Sequence, residues 1–177
     1  MVKAISTLYI LFFDMCLFRR KPQDLPLSFD LLVVCIAAYT LINFLLGLNT
    51  TSAIRAIQSS FLETFFISTI TVIILKLNHH VDRWLKTLMA ITGTGCVVSL
   101  FALPLFIGVF ILDAGSLLQN LVLMVYLILL IWNVAIMGHI LRHALETTMG
   151  FGVLFAIIYI VMTSMLIGVL LPEVELQ

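Results

Sequence analysis

Apolar residues run along this chain in long blocks, and the polar positions between them are few and clustered. A helix rising about 1.5 Å per residue needs about 20 mostly apolar residues to cross a hydrocarbon core of roughly 30 Å. Five blocks meet that length: Ser28 to Leu48, about Ala56 to Leu77, Trp84 to Leu112, Ser116 to about Leu141, and Thr148 to Leu171. Asn49-Thr50-Thr51-Ser52, Asn78 to Arg83 and Asp113-Ala114-Gly115 separate them, too short to hold a second domain. The pattern predicts an all-α protein, an integral membrane bundle of five transmembrane helices over residues 28–171. Residues 1–27 form a cytoplasmic lead and residues 172–177 a short outer tail.

Start and stop signals agree with these cuts. Ser116-Leu117-Leu118-Gln119 has the form of a capping box, the serine hydroxyl accepting from a free amide while the glutamine reaches back to the cap. Ser28, shortly after Pro26, is a cap for the first helix, Thr147 or Thr148 for the fifth, and Pro172 stops the last. Ala4 to Phe18 is apolar but interrupted by Asp14 and closed by Arg19-Arg20-Lys21. Its fifteen residues make a helix of about 22 Å, short for a crossing. It reads as an amphipathic helix lying in the cytoplasmic interface, with a sixth span as the rival. No small-x-small cleavage site follows it, against a signal peptide.

Composition fixes the solvent. Of 177 residues, 63% are apolar and 10% charged, where a soluble domain carries roughly 25% charge. Nine basic residues balance nine acidic ones, which removes the case for nucleic acid as a partner. Basic residues are unevenly spread. With the amino terminus inside, Lys3, Arg19, Arg20, Lys21, Lys76, Arg83, Lys86 and Arg142 all fall on the cytoplasmic side, leaving Arg55 alone outside with Asp113, Glu173 and Glu175. The positive-inside rule therefore places the amino terminus in the cytoplasm and the carboxyl terminus outside.

Candidate chemistry is sparse. Glu63 is the acid well inside a span, two turns from the outer connection, with Asn43 and Asn120 in the same outer slab and Thr64 beside it. Such a cluster could bind a cation or relay a proton; the plainer reading is a protonated carboxyl bonding a neighbouring helix. Ser60, Thr64, Ser68 and Thr71 form one hydroxyl stripe, either a hydrophilic path or side chains bonded to their own helix. Thr92, Gly95, Cys96, Ser99 and Ala102 share a face of small residues suited to close helix packing, and Pro104 beyond them is a candidate hinge.

His139, His143 and Glu146 are spaced for one helix face, which a metal or haem site would require. Yet His139, Arg142 and His143 also complement the negative end of a helix dipole without any ligand. Met162 and Met165 read as core filler rather than a copper pair. Trp84 reads as an interfacial anchor, while Trp132 and Asn133 read as facing inward. The three cysteines, Cys16, Cys35 and Cys96, imply neither a disulfide framework nor a metal site. No GxSxG elbow, Walker loop, HExxH or dinucleotide fingerprint occurs, so no enzyme and no cofactor is expected.

The layout resembles the Yip (Rab-interacting protein) family of membrane domains, in its short bacterial style. The likeness rests on the lead Arg19-Arg20-Lys21-Pro22-Gln23-Asp24-Leu25-Pro26, five close-set spans, and Ala90-Ile91-Thr92-Gly93-Thr94-Gly95 followed by Leu103-Pro104-Leu105. It covers about residues 28 to 171. The longer amino-terminal domain and Tyr-Gly-Pro signature of eukaryotic members are missing, so binding to Rab-type GTPases is not implied. The resemblance implies a non-enzymatic protein of a bacterial inner membrane. From the sequence, an interaction or organising module in contact with lipid, with other membrane proteins or with its own copies is expected. The alternatives are a small transporter or channel subunit using Glu63, and a metal or haem protein using His139 and His143.

Overall fold

The computed structural model describes residues 2–171, with side chains from Tyr9 onward; the side chain of Lys3, and Pro172, Glu173 and Glu175 in the 172–177 tail, lie outside the described residues. Six helices follow in chain order: α1 (Val2–Cys16), α2 (Phe29–Gly47), α3 (Ala53–Leu77), α4 (Trp84–Ile111), α5 (Leu117–Ala144) and α6 (Met149–Leu170). Short 3-10 turns at Pro22–Asp24 and Val81–Arg83 precede α2 and α4. The last five are long and apolar enough to cross a membrane. Their outward faces carry exposed hydrocarbon, as at Leu77, Ile111, Leu117 and Val169, each more than 70% accessible. A water-soluble surface does not tolerate apolar area on that scale, so the chain is a polytopic, all-helical membrane protein.

Local chemistry sets the helix ends. Ser28 Oγ accepts from the Leu31 amide at 3.3 Å and Ser116 Oγ from the Gln119 amide at 3.1 Å. Gln119 does not close the expected box on Ser116. Its Oε1 accepts from the Gly115 amide at 2.7 Å and its Nε2 donates to the Val109 carbonyl at 3.0 Å, tying α5 to the last turn of α4. Gly115, at φ 81°, is where the chain needs glycine's freedom. Thr148 caps α6 without a side-chain bond, and α3 starts at Ala53, three residues before the expected cut.

Three helices stop in an unusual way. The amides of Arg19, His80 and Thr147 reach back to the carbonyls of Asp14, Leu75 and Arg142, and the residue before each is left-handed: Phe18 at φ 61°, His79 at 60° and Glu146 at 55°. These are Schellman-type stops with side chains where glycine is usual, each costing about 1–2 kcal/mol of backbone strain.

α4 is the central helix. It touches α1, α2, α3 and α5, and every residue from Thr87 to Thr94 is buried. Thr87, Thr92 and Thr94 turn their hydroxyls back onto the carbonyls of Arg83, Leu88 and Ala90, which satisfies them without a partner helix. Around α4 the order is α2, α3, α6, α5, with α3 meeting α6 to close the ring. The helix continues through Pro104 to Ile111. α5 and α6 come into backbone contact where Gly152 sits against the Gly138 carbonyl and Gly138 against the Val153 backbone.

The lead is packed against the protein. Phe12, Met15 and Cys16 of α1 are buried, with the Phe12 ring lying over Gly93 of α4, while Tyr9 and Ile10 are exposed. Beyond α1 the chain crosses the seam between the start of α4 and the end of α5. Trp132 Nε1 donates to the Cys16 carbonyl at 3.1 Å, Gln23 Nε2 to the His143 carbonyl at 2.8 Å, and Lys86 Nζ to the Gln23 carbonyl at 2.7 Å. Pro22 and Leu25 are buried beneath this strap. Burial pushes the Cys16 thiol up to about 12. Nearby, Arg83 pairs with Glu146 and holds that carboxyl below the usual carboxylate range. The carboxyl is depressed, so the tie persists at neutral pH and is lost only as pH falls through the lowered value.

Candidate functional site

A cavity of about 880 Å³ lies inside the bundle, walled by α3, α4, α5 and α6 and by one face of α2. It reaches the bundle end at Thr51, Arg55 and Leu171 and extends inward to Ile67, Met137 and Ile140. One face of α3 supplies Arg55, Ser59, Glu63 and Ile67 at i, i+4, i+8 and i+12, so these residues line the wall from mouth to depth over about 18 Å. Toward the other end the bundle is sealed by Leu75, Ala144 and Leu145, packed with Ile74, Trp84 and Phe155.

Glu63 is the acid on this wall. α3 starts earlier than the apolar pattern suggests, so Glu63 sits ten residues inside the helix, about 15 Å from its start rather than the expected two turns. Tyr39 of α2, itself 7% exposed, donates its hydroxyl to Glu63 Oε1 at 2.8 Å. No basic side chain lies within ion-pairing distance of Glu63 among the described residues. Arg55, eight residues and about 12 Å nearer the mouth, donates to the Leu171 carbonyl at the end of α6. There it meets the negative end of that helix. Tyr39 is the phenol that orients the carboxyl, and its placement depends on Gly95: a Cβ at that position would sit 2.7 Å from the Tyr39 ring.

Several polar groups converge here without partners. Asn43 Nδ2, Tyr159 OH and Thr163 Oγ1 are buried and make no hydrogen bond of good geometry among the described residues, Asn43 lying near Tyr39 and Thr163 near Tyr159, and all three residues line the cavity with Asn133 and Ser164. Unsatisfied buried donors cost about 1–3 kcal/mol each, so such a grouping indicates water or a ligand as its complement.

The expected polar cluster is therefore only partly assembled. Asn43 and Glu63 share the cavity, and Thr64 stands just behind it, its hydroxyl 2.8 Å from that of Thr40 on α2. Asn120 is not part of it. It is exposed in the first turn of α5, and six residues before the cavity-lining Tyr126 amount to a rotation of about 120° away from that face. The stripe of Ser60, Thr64, Ser68 and Thr71 forms no path, since each hydroxyl donates to a carbonyl of α3 itself. On α4, Thr92 faces the core, whereas Gly95, Ser99 and Ala102 line the cavity and Cys96 is half-buried. Pro104, two residues beyond Ala102, is exposed within α4.

The histidines are tied to the structure. His139 Nε2 bonds the Arg20 carbonyl at 3.1 Å, Arg142 Nε donates to His143 Nε2 at 3.4 Å, and the two rings meet edge to face at 4.6 Å. Among the described residues no three His, Cys, Asp or Glu side chains gather as a metal site would need. Met162 and Met165 are not core filler as expected: both are exposed on the lipid-facing side of α6.

The most informative residues are ones that pattern reading passed over. Tyr39, Tyr126 and Tyr159 all line the cavity, three of the chain's four tyrosines, while none of its thirteen phenylalanines does. Spacing held a trace of this. Tyr39 is four residues before Asn43, and Thr163 four after Tyr159. Comparison with known proteins returned no matching family model, no matching curated protein and no matching solved structure.

Proposed function

We propose that this polytopic membrane protein handles protons or monovalent cations at Glu63, as a small transporter or channel-type subunit rather than an enzyme. One observation carries the reading: a carboxyl group deep in the membrane-spanning bundle faces a large cavity and has a tyrosine hydroxyl, not a cation, as its protein partner. An ionisable group at such depth costs about 3 kcal/mol or more, and a structure that only organised helices would pack the void closed. Tyr39 engages one carboxyl oxygen and fixes the group's direction, leaving the other oxygen for an entering proton or cation. Arg55 stands at the mouth with its charge offset by the end of α6, so the carboxylate dominates the field further in.

The orientation belongs to the same proposal. Arg19, Arg20, Lys21, Lys76, Arg83, Lys86 and Arg142 gather at the end of the bundle away from the cavity mouth. The positive-inside rule puts that end in the cytoplasm and the mouth outside, in a bacterial inner membrane. Against anionic lipid, each well-placed basic residue there contributes about 1 kcal/mol.

Reconstituted in liposomes carrying a pH-sensitive dye, the protein is expected to dissipate an imposed pH gradient. Glu63→Gln, which keeps the shape and the Tyr39 hydrogen bond, is expected to abolish that flux. Absence of flux from the wild-type protein, or equal flux from Glu63→Gln, overturns the reading.

A further inference from the structure

The cavity's size, its single uncompensated charge and its aromatic lining define a ligand class more closely than proton handling does. Ligand pockets in proteins span roughly 300–1,000 Å³ and combine an apolar wall with a few convergent polar groups; this cavity, at about 880 Å³, is of that kind. At about 30 Å³ per water it would hold some thirty waters, far more than a site that strips and cages a bare metal ion. Its depth is apolar, walled by residues such as Ile91, Val98 and Leu129.

Charge narrows the class further. Glu63 and Arg55 are the charged residues on the wall, and Arg55 is engaged with the Leu171 carbonyl at the mouth. The other titratable groups facing the cavity are the phenols of Tyr39, Tyr126 and Tyr159. Aromatic faces attract an ammonium group through the ring quadrupole, most strongly where water is excluded, and they give nothing comparable to an anion. Asn43 Nδ2, Tyr159 OH and Thr163 Oγ1, which find no well-aligned partner among the described residues, add donors for an oxygen on the ligand body.

We infer that the cavity takes an organic ammonium ion with an apolar body, its cationic head against the Glu63 carboxylate and the tyrosine rings, its body along the apolar wall. This rests on the reading of Glu63 as a cation-handling group and assigns the cation. Protons compete for the same carboxylate, so acidification weakens binding.

Equilibrium dialysis of labelled benzyltrimethylammonium against the detergent-solubilised full chain tests it. One saturable site per chain is expected, weakened at low pH and not displaced by excess sodium ion. Glu63→Gln is expected to weaken binding at least tenfold. Tyr126→Leu, which leaves the carboxylate and Tyr39 untouched, is expected to weaken it about threefold to tenfold, and Tyr126→Phe, which keeps the ring, to restore most of it. The inference is overturned by absence of saturable binding, by equal binding to Glu63→Gln, by displacement with sodium, or by Tyr126→Leu binding like wild type. If binding is absent while Glu63-dependent proton flux persists, the organic cation alone is rejected; if both are absent, the transport reading falls with it.

Discussion

Gly152→Ala is expected to melt well below the wild-type protein in detergent, and Gly152→Leu is expected not to yield a monodisperse bundle. A Cβ at Gly152 would run into the Gly138 carbonyl and come within 2.9 Å of the Arg142 Cβ. Both obstacles belong to α5 at or near its backbone, so rotating a side chain cannot relieve them. The helices must separate instead. α5 and α6 form the most extensive helix pair in the bundle, and helices in lipid are held chiefly by the dispersion contacts that close approach permits. Overpacking of this kind costs about 1–3 kcal/mol for one methyl group, more for a leucine. Thermal unfolding followed by circular dichroism measures it. An unchanged midpoint for Gly152→Ala would mean that the two helices are not in backbone contact.

Maleimide labelling of Cys16 is expected to rise by at least tenfold in Gly93→Leu. The Phe12 ring occupies the space above Gly93, and among the described side chains of α1 it is Phe12, Met15 and Cys16 that are most deeply buried. A leucine there evicts the ring and undocks α1 while the core of α4 continues to pack. Cys16 is the reporter because its thiol is inaccessible and burial pushes it up to about 12, which suppresses the reactive thiolate. Undocking reverses both effects. The assay uses a background with Cys35→Ala and Cys96→Ala, so that one thiol remains. Equal labelling rates with and without the leucine would show that α1 does not rest on α4.

Much of the architecture was legible because the bilayer demands uninterrupted helices of near-constant length. Apolar block lengths put the cuts close to the observed ends, and the Ser28 and Ser116 hydroxyl oxygens accept from backbone amides as cap chemistry requires. Helix stops were less legible. Phe18, His79 and Glu146 take left-handed conformations that sequence reading assigns to glycine, and nothing in their identity marks them. Glycine misled in a second way. The small-residue face on α4 is legible as a stripe on one helix, whereas the backbone contact of α5 with α6 depends on Gly138 and Gly152, one from each of two helices that hydropathy alone cannot bring together.

The site was half legible for a related reason. A carboxyl inside a span is conspicuous at any rotation, so Glu63 stood out, and Asn43 lies on the face that meets it. Depth alone does not give rotation. Asn120 has the right depth and the wrong azimuth, and Met162 and Met165 turn to lipid rather than to the core. Where every face of a helix is apolar, amphipathic pattern cannot say which side points inward. Tyrosines therefore passed as ordinary apolar positions. Only the assembled bundle shows that the chain keeps three of its four phenols at the cavity and its phenylalanines elsewhere.

Reporter fusions across the membrane test most directly the proposed topology, five crossings with the basic residues on the cytoplasmic side. Fusions after Asp82 and after Glu146 are expected to report the cytoplasm, and fusions after Gly115 and at the carboxyl terminus the opposite compartment. A fusion at Asp82 and one at the carboxyl terminus reporting the same compartment would contradict the account.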